Sequence, residues 1–332
     1  MKTRRLGRTG LKVTEICLGT MTFGHQCDEA ASFAIMNKAA DRGVRFLDTA
    51  DVYPVPPSPE TAGRTEEIVG RWLKGQRHKF VLATKCRMRV GHGPNDEGLS
   101  RIHIMQAVED SLRRLQTDVI DLYQPHSPDP DTPLDETLRA LDDLVRQGKV
   151  CYLGCSNYPA WQVAVSLGIC ARHDWARFES VQPRYNLLYR EIEAELLPLC
   201  RDQGLGVIAY NPLAGGFLTG RYQTLEAPPA GTRFSLGGTT GSLYRDRYWQ
   251  HAQLEAVQEL QKALAPRGRS LLQVAVAWVL AQPGITSAIV GASKAAQLDD
   301  SLAAAELKLE PDELEACNLA WYRLPRPMNP VR

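Results

Sequence analysis

Short apolar runs of strand type alternate with helical segments along this chain, and this alternation limits its possible folds more than any other feature. Each run is nearly continuous in apolar residues, which is typical of parallel strands buried on both faces. Eight such runs are present, the number that closes a parallel barrel. They span residues 15–20, 44–48, 80–85, 119–123, 150–154, 180–182, 206–210 and 286–290.

The predicted fold is therefore a (β/α)8 TIM barrel of the α/β class, forming a single domain over residues 1–332. Residues 7–10 (Gly-Arg-Thr-Gly) predict a turn, and residues 4–13 a short β-hairpin ahead of the barrel. The alternative is an open doubly wound sheet. That fold would place a Gly-x-Gly-x-x-Gly turn after the first strand, and the sequence has none there, so the barrel is favoured.

Helical segments with apolar residues spaced by three and four separate the runs. Ser100 is predicted to cap one helix, and Thr132 another, with Pro133 at the first helical position. Residues 223–249 lack this periodicity, and their aromatic residues favour a long loop that packs over another part of the fold. Further helices are predicted over residues 30–42, 65–73, 159–172, 190–203, 250–264, 270–282, 294–304 and 311–319.

Composition excludes several classes of function. The 39 lysines and arginines balance 38 acidic residues, so the chain has no overall field that attracts nucleic acid or an anionic membrane. No apolar run reaches 18 residues, and no secretory signal follows the basic start. The eight cysteines are scattered without metal-type spacing, so we expect buried thiols, no metal site and a cytoplasmic location.

Four ionisable residues lie at or just after the ends of consecutive runs: Asp48, Tyr53, Lys85 and His126. In a barrel of parallel strands these ends open on one face, where the active site lies. A lysine beside a tyrosine lowers the pKa of the phenol from about 10 and makes it a usable proton donor near neutral pH. The group suits protonation of a carbonyl oxygen during hydride attack, with the hydride supplied by a cofactor.

On these residues the chain resembles the aldo-keto reductases from about Arg4 to Leu319. The family's tetrad is matched in the contexts Asp-Thr-Ala-Asp-Val-Tyr, Ala-Thr-Lys and Gln-Pro-His. The resemblance implies that Tyr53 is the proton donor, that Lys85 depresses its pKa, and that Asp48 pairs with Lys85. It further implies that His126 orients the carbonyl of a small-molecule aldehyde or ketone, or the alcohol in the reverse reaction.

The resemblance also implies an NADP(H) site, with NADPH preferred over NADH. Tyr210 would stack on the nicotinamide, Arg221 would supply charge at the pyrophosphate, and Ser293 and Lys294 would bind the 2′-phosphate at a helix start. The implied cofactor positions are Gly19, Thr20, Met21, Asp48, Ser156, Asn157, Gln182, Tyr210, Asn211, Pro212, Leu213, Gly215, Gly216, Gly220, Arg221, Gly291, Ser293, Lys294, Gln297 and Asp300.

The chain departs from the family pattern at three places. Asn211 stands where serine is more common, and Asp300-Ser301 where the family commonly has Glu-Asn. An arginine often found near the position of Lys294 is missing.

Two other functions remain open from the sequence. Potassium-channel β subunits share the resemblance, so the chain is alternatively an NADP-binding regulatory subunit. A barrel lyase or isomerase would use Lys85 as a Schiff-base amine, although Asp48 would keep that amine charged.

The loops expected to select the substrate are residues 54–64, 87–99, 127–132 and 223–249. In the second of these, Arg87, Arg89 and His92 hint at an anionic or polyhydroxylated substrate. The sequence indicates no oligomeric state.

Overall fold

Eight parallel strands close into a barrel in the computed structural model, which describes residues 1–325. Strand order follows the chain, and the last strand pairs with the first, which confirms the TIM barrel and excludes the open sheet. The predicted hairpin consists of β1 (Thr3–Arg5) and β2 (Lys12–Thr14). The barrel strands are β3 (Ile16–Gly19), β4 (Phe46–Asp48), β5 (Val81–Cys86), β6 (Ile120–Pro125), β7 (Val150–Ser156), β8 (Phe178–Gln182), β9 (Gly206–Tyr210) and β10 (Ile285–Gly291).

Helices connect successive strands around the outside of the barrel, and their buried faces pack on it. They are α1 (Glu29–Asp41), α2 (Arg64–Leu73), α3 (Arg101–Leu115), α4 (Leu134–Arg146), α5 (Ala160–His173), α6 (Leu196–Gln203), α7 (Gly238–Tyr248), α8 (His251–Leu264), α9 (Leu271–Ala281), α10 (Leu298–Ala303) and α11 (Pro311–Tyr322). None of the helices described is both long and apolar enough to cross a membrane.

The barrel interior is filled by side chains, so it is a packed core rather than a pore. Six barrel strands each contribute one apolar residue, and the hairpin contributes two more. These interior residues are Cys17, Phe46, Ala83, Leu122, Ile208 and Ile289 from the strands, with Leu6 and Val13 from the hairpin.

The hairpin closes the N-terminal end of the barrel. Gly7 has φ +57° and lies so close to β9 that a β-carbon there would come within 2.6 Å of the backbone nitrogen of Gly206. Only glycine combines this left-handed conformation with such an approach. The opposite end, where the strands terminate, therefore remains open for a site.

Three local predictions were wrong. Pro133, not Thr132, is the N-cap residue of α4, because the Thr132 hydroxyl instead donates to Asp129 at 2.7 Å. The segment predicted as a helix over 190–203 is α-helical only from Leu196, after a short 3-10 turn. Cys151 is exposed because it lies near the N-terminal end of β7, whereas the other seven cysteines are buried. The predicted Ser100 cap of α3 is confirmed.

Residues 223–249 contain more regular structure than predicted. A 3-10 turn (Arg233–Ser235) is followed by α7. Two glycines and two threonines give α7 a low intrinsic helix propensity, and its eleven residues show no clear apolar stripe. The helix is therefore stabilised by tertiary packing, which includes the buried Tyr244 and Tyr248.

Candidate active site

The C-terminal ends of the barrel strands surround one cavity of about 620 Å³. This volume lies in the range of small-molecule and cofactor sites. Strand termini supply much of its lining, since Gly19, Asp48, Ser156, Gln182 and Tyr210 are each the last residue of a strand. The strand alternation of the sequence thus brings polar residues from distant parts of the chain to one rim.

A buried ion pair forms the floor of this cavity. Lys85 Nζ donates to Asp48 Oδ1 at 2.5 Å and to the backbone oxygen of Thr49 at 2.8 Å. The other carboxylate oxygen of Asp48 accepts from Gln182 Nε2 at 2.8 Å. Burial alone would lower the pKa of Lys85, but the carboxylate of Asp48 and the phenol of Tyr53 outweigh that effect and raise it. Lys85 is therefore a fixed ammonium ion below the cavity.

Tyr53 and His126 line the cavity above this pair. Lys85 Nζ lies 5.4 Å from the centre of the Tyr53 ring, and the Tyr53 and His126 rings meet edge to face with centres 5.7 Å apart. Both rings line the cavity itself. The structure therefore brings all four predicted catalytic side chains together on one rim.

Burial raises the pKa of the Tyr53 phenol, and the opposing effect of Lys85 is smaller. Lys85 thus lowers the pKa of Tyr53, which is the direction predicted, but burial outweighs it and the pKa stays above its ordinary value. The phenol is protonated at neutral pH, as a proton donor must be. Burial, with Lys85 and Arg87 nearby, lowers the pKa of His126 well below its ordinary value, so the imidazole is neutral.

Hydrogen bonds orient the polar groups between β6 and β9. Asn157, at φ +60°, donates from Nδ2 to the backbone oxygen of His126 at 2.8 Å and accepts from the Tyr210 hydroxyl at 2.8 Å. Ser156 Oγ donates to the backbone oxygen of Gln182 at 2.8 Å. The Tyr210 ring is thereby held at the edge of the cavity, next to the tetrad.

The loop after β9 makes a tight turn beside the cavity. Gly215 and Gly216 adopt φ +71° and +99°, conformations that favour glycine, and the Gly216 amide donates to the backbone oxygen of Leu213 at 2.8 Å. Asn211 stabilises the turn, because its Oδ1 accepts from the Gly215 amide at 2.6 Å and its Nδ2 donates to the Tyr248 hydroxyl at 3.0 Å. Arg221 also lines the cavity here.

Only some of the cofactor-binding residues predicted in the turn after β10 line the cavity. Ser293 and Gln297 line the cavity, and Gln297 Oε1 accepts from the Ser293 amide at 2.8 Å. Lys294 is exposed and Asp300 accepts from Gln273 Nε2 at 2.9 Å on the outer surface, so neither lines the cavity. Ser301 lines it in place of Asp300. Gly220 also lies outside the lining, whereas the remaining predicted cofactor positions are in it.

Sequence reasoning expected the loop 223–249 to pack over another part of the fold and to select the substrate, but it assigned no residue of the segment 231–247, which we call the lid, to the catalytic or cofactor site. Thr232 and Arg233 of the lid line the cavity. Gly291 is the last residue of β10, and Arg233 Nη2 lies 3.6 Å from the position that a β-carbon on Gly291 would occupy. The Arg233 side chain therefore reaches from the lid to the end of β10. Arg233 and Arg247 stand among the aromatic residues of this long loop, and that pattern was the sequence signal that could have placed them in the site.

The loop 87–99 does not support the anionic substrate inferred from it. Arg89 forms an ion pair with Glu97, and His92 lies 3.4 Å from Glu60. None of Arg87, Arg89 and His92 lines the cavity, and Met88 is the residue of this loop that does. No group of three or more His, Cys, Asp or Glu side chains within residues 1–325 is placed to hold a metal ion.

A second buried carboxyl lies behind the tetrad. Asp51 is 1% exposed, and neither of its oxygens has a well-aligned hydrogen-bond partner among the described residues. Burial, followed by repulsion from Glu66, raises the pKa of Asp51 well above its ordinary value despite the opposing effect of Arg114. The folded state therefore holds a proton on Asp51 that the unfolded chain releases near pH 4.

We expect Asp51→Asn to be more stable than the parent at pH 7–8, with the difference shrinking toward pH 4. Because the folded pKa is raised, this carboxyl costs stability as pH rises from the unfolded pKa to the folded one, by at most about 1.4 kcal/mol per pH unit. Urea unfolding at four pH values measures the effect, with the exposed Asp131→Asn as control. An unchanged pH slope in Asp51→Asn would mean that Asp51 is ionised.

Comparisons with known proteins agree with this arrangement. The model of the Aldo/keto reductase family matches residues 15–321. The chain is 42% identical over 321 residues to the uncharacterized oxidoreductase YrpG of Bacillus subtilis (strain 168), covering 94% of both chains. It is 36% identical to a probable voltage-gated potassium channel subunit beta of Oryza sativa subsp. japonica, covering 92% of both. It is 35% identical to the versiconal hemiacetal acetate reductase of Aspergillus parasiticus, covering 95% of both.

Proposed function

Because this chain belongs to the aldo/keto reductase family, we propose that it is an NADPH-dependent oxidoreductase that reduces an aldehyde or ketone to an alcohol, reversibly. The observation that carries the proposal is the buried Lys85–Asp48 pair, 2.5 Å between Nζ and Oδ1, below Tyr53 and His126. That arrangement serves proton delivery to an oxygen that gains negative charge. Oxidoreductases among the relatives support the same class.

In the proposed mechanism NADPH, when bound, would supply the hydride that the carbonyl carbon accepts. The Tyr53 hydroxyl gives its proton to the carbonyl oxygen as that oxygen becomes negative. The ammonium of Lys85 stabilises the phenolate left on Tyr53, and Asp48 holds the ammonium in place. The neutral imidazole of His126 orients the carbonyl by hydrogen bonding. In the reverse direction the phenolate takes the proton back.

The lining residues support a dinucleotide with an added phosphate as the cofactor. Tyr210 offers an aromatic face beside the tetrad, and the glycine turn at 215–216 leaves room for a pyrophosphate to approach the backbone beside Arg221. We propose that Arg221 and Arg233 supply the positive charge at the phosphate end, with Ser293. Arg233 would thus take the role of the arginine that is missing near Lys294, reaching the end of β10 from the lid.

The test is purified protein with NADPH and a panel of reactive aldehydes. We expect loss of the nicotinamide absorbance with at least one aldehyde, and slower turnover with NADH. An absence of NADPH oxidation with every aldehyde, together with no oxidation of the matching alcohols by NADP+, would contradict the proposal.

Relatives named as potassium-channel subunits at 36% identity favour a second candidate, an NADP-binding regulatory subunit. Stable co-purification with a membrane channel and no turnover would support it.

A Schiff-base enzyme is disfavoured because the raised pKa of Lys85 keeps its amine protonated. Borohydride trapping with a carbonyl substrate should therefore give no adduct. We propose a cytoplasmic location, since the free thiols suit a reducing compartment.

A further inference from the structure

One face of α7 forms a wall of the cavity. Thr240, Leu243, Tyr244 and Arg247 all line the cavity, and their spacing of three, four and seven residues places them on one helix face. Leu243 is 45% exposed, which is unusual for a leucine that packs in a core. This face is therefore oriented toward the space that a ligand occupies.

Arg247 differs from the other arginines of this region. Arg245 donates to the Phe234 backbone oxygen at 2.6 Å, and Arg233 donates to the Tyr244 hydroxyl at 3.2 Å. Arg247 forms no hydrogen bond and no ion pair with any residue among 1–325. A guanidinium has five donors in a fixed fork that matches a carboxylate, so a ligand with such a group would satisfy it.

Arg247 has different neighbours from Arg221 and Arg233. Arg221 lies beside the glycine turn, and Arg233 reaches the end of β10. Burial raises the pKa of the Tyr210 phenol, and Arg247 opposes that rise more than any other neighbouring charge. Arg247 and Tyr210 line the same cavity, and the Tyr210 hydroxyl is linked through Asn157 to the backbone oxygen of His126.

Charge in the cavity is unbalanced in favour of cations. Among the described lining residues, Asp48 is the only acidic one, and it is already bonded to Lys85 and Gln182. The phosphates of NADP(H) would neutralise the charge of Arg221 and Arg233. Arg247 would be left with its charge uncompensated in the cavity.

The loops on either side of Lys85 give the cavity an apolar wall next to Tyr53. Val52, Val55, Pro57 and Met88 line it, from the loops after β4 and β5. A substrate here would therefore contact apolar side chains along its body and meet a cation on the lid side.

We propose that Arg247 binds a carboxylate of the substrate, so that the preferred substrates are aldehydes or ketones that carry an apolar, aryl or alkyl body ending in a carboxylate. This inference rests on the proposed carbonyl reductase function and adds the substrate class. Arg247 is then a specificity-determining residue, distinct from the four tetrad residues.

The test compares 4-formylbenzoate with its methyl ester, two aldehydes that differ mainly in charge. We expect the parent protein to have a higher kcat/KM for the acid. Arg247→Met should lower kcat/KM for the acid by about 10- to 100-fold, as expected for loss of a charged hydrogen bond, and change that for the ester less than about threefold. Arg247→Lys should retain an intermediate preference.

The affinity for NADPH shows whether Arg247 binds a carboxylate of the substrate or a phosphate of the cofactor. Arg247→Met should leave the Kd for NADPH, followed by protein fluorescence, within about twofold of the parent, whereas Arg233→Met should weaken it by about 10-fold or more. Equal losses for acid and ester, or weakened NADPH binding in Arg247→Met, would overturn the proposal.

A binding measurement distinguishes failure of this inference from failure of the proposed function. Calorimetry of 4-(hydroxymethyl)benzoate with the parent and with Arg247→Met, both in NADP+, requires no turnover. Binding that depends on Arg247 supports the carboxylate site even if no aldehyde is reduced. The inference is overturned if 4-(hydroxymethyl)benzoate binds equally well to the two proteins or binds to neither.

Discussion

Replacing Tyr53 with phenylalanine is expected to lower kcat for aldehyde reduction by at least about 100-fold, the range in which general acid catalysis contributes. The ring would keep its edge contact with His126, and the cavity shape would stay the same, because the variant lacks only one oxygen. The Kd for NADPH should change by less than about threefold, since the phenol is assigned to the substrate. Steady-state kinetics and fluorescence titration measure both quantities.

Tyr152→Phe is a matched control for this variant. Tyr152 lies in the barrel interior toward the start of β7 and does not line the cavity, so its loss of a hydroxyl should leave kcat almost unchanged. If Tyr53→Phe instead keeps the kcat of the parent, the phenol is not the acid. If it loses both turnover and NADPH binding, Tyr53 has a structural role that the proposed mechanism does not include.

Replacing Lys85 with methionine is expected to lower the free energy of unfolding by about 3–5 kcal/mol, because it leaves the buried carboxylate of Asp48 without its cation. Lys85 is 0% exposed and Asp48 3%, so water cannot easily replace the lost partner. Turnover should fall at least as far as in Tyr53→Phe, since the phenolate formed in the reaction would have no neighbouring ammonium.

The double variant Asp48→Asn, Lys85→Met separates stability from catalysis. Removing both charges should restore most of the lost free energy of unfolding, because no buried charge remains unpaired, while turnover stays low. Urea unfolding of the four proteins forms the double-mutant cycle. Additive losses of stability would show that the two side chains are not coupled, and recovery of turnover in the double variant would remove the ion pair from the mechanism.

The barrel and the tetrad were predictable because both depend on local patterns. Buried parallel strands require continuous apolar runs, and a residue at the end of such a run can only lie on the rim. Asp48 and Lys85 could therefore be placed without any knowledge of their contacts. Ser100 was predictable as a cap for the same reason, since its hydroxyl bonds a backbone amide three residues away.

The remaining features depend on contacts between distant residues. The eleven residues of α7 have weak helix propensity and a mixed face, so Arg247 was not recognisable as a cavity residue. Ser301 rather than Asp300 faces the cavity because of the phase of a short helix, which the sequence determines only within a residue or two. The pKa of Tyr53 depends on how far burial exceeds the effect of Lys85, a balance of two tertiary quantities.

Transfer of deuterium from NADPH labelled at C4 to the alcohol tests the central claim most directly. With benzaldehyde as substrate, we expect the parent protein to place one deuterium on the carbinol carbon of benzyl alcohol from one of the two C4 stereoisomers. Tyr53→Phe should give almost no labelled alcohol in the same time. Alcohol without deuterium from both C4 stereoisomers, or labelled alcohol formed as fast by Tyr53→Phe as by the parent, would contradict hydride transfer assisted by this phenol.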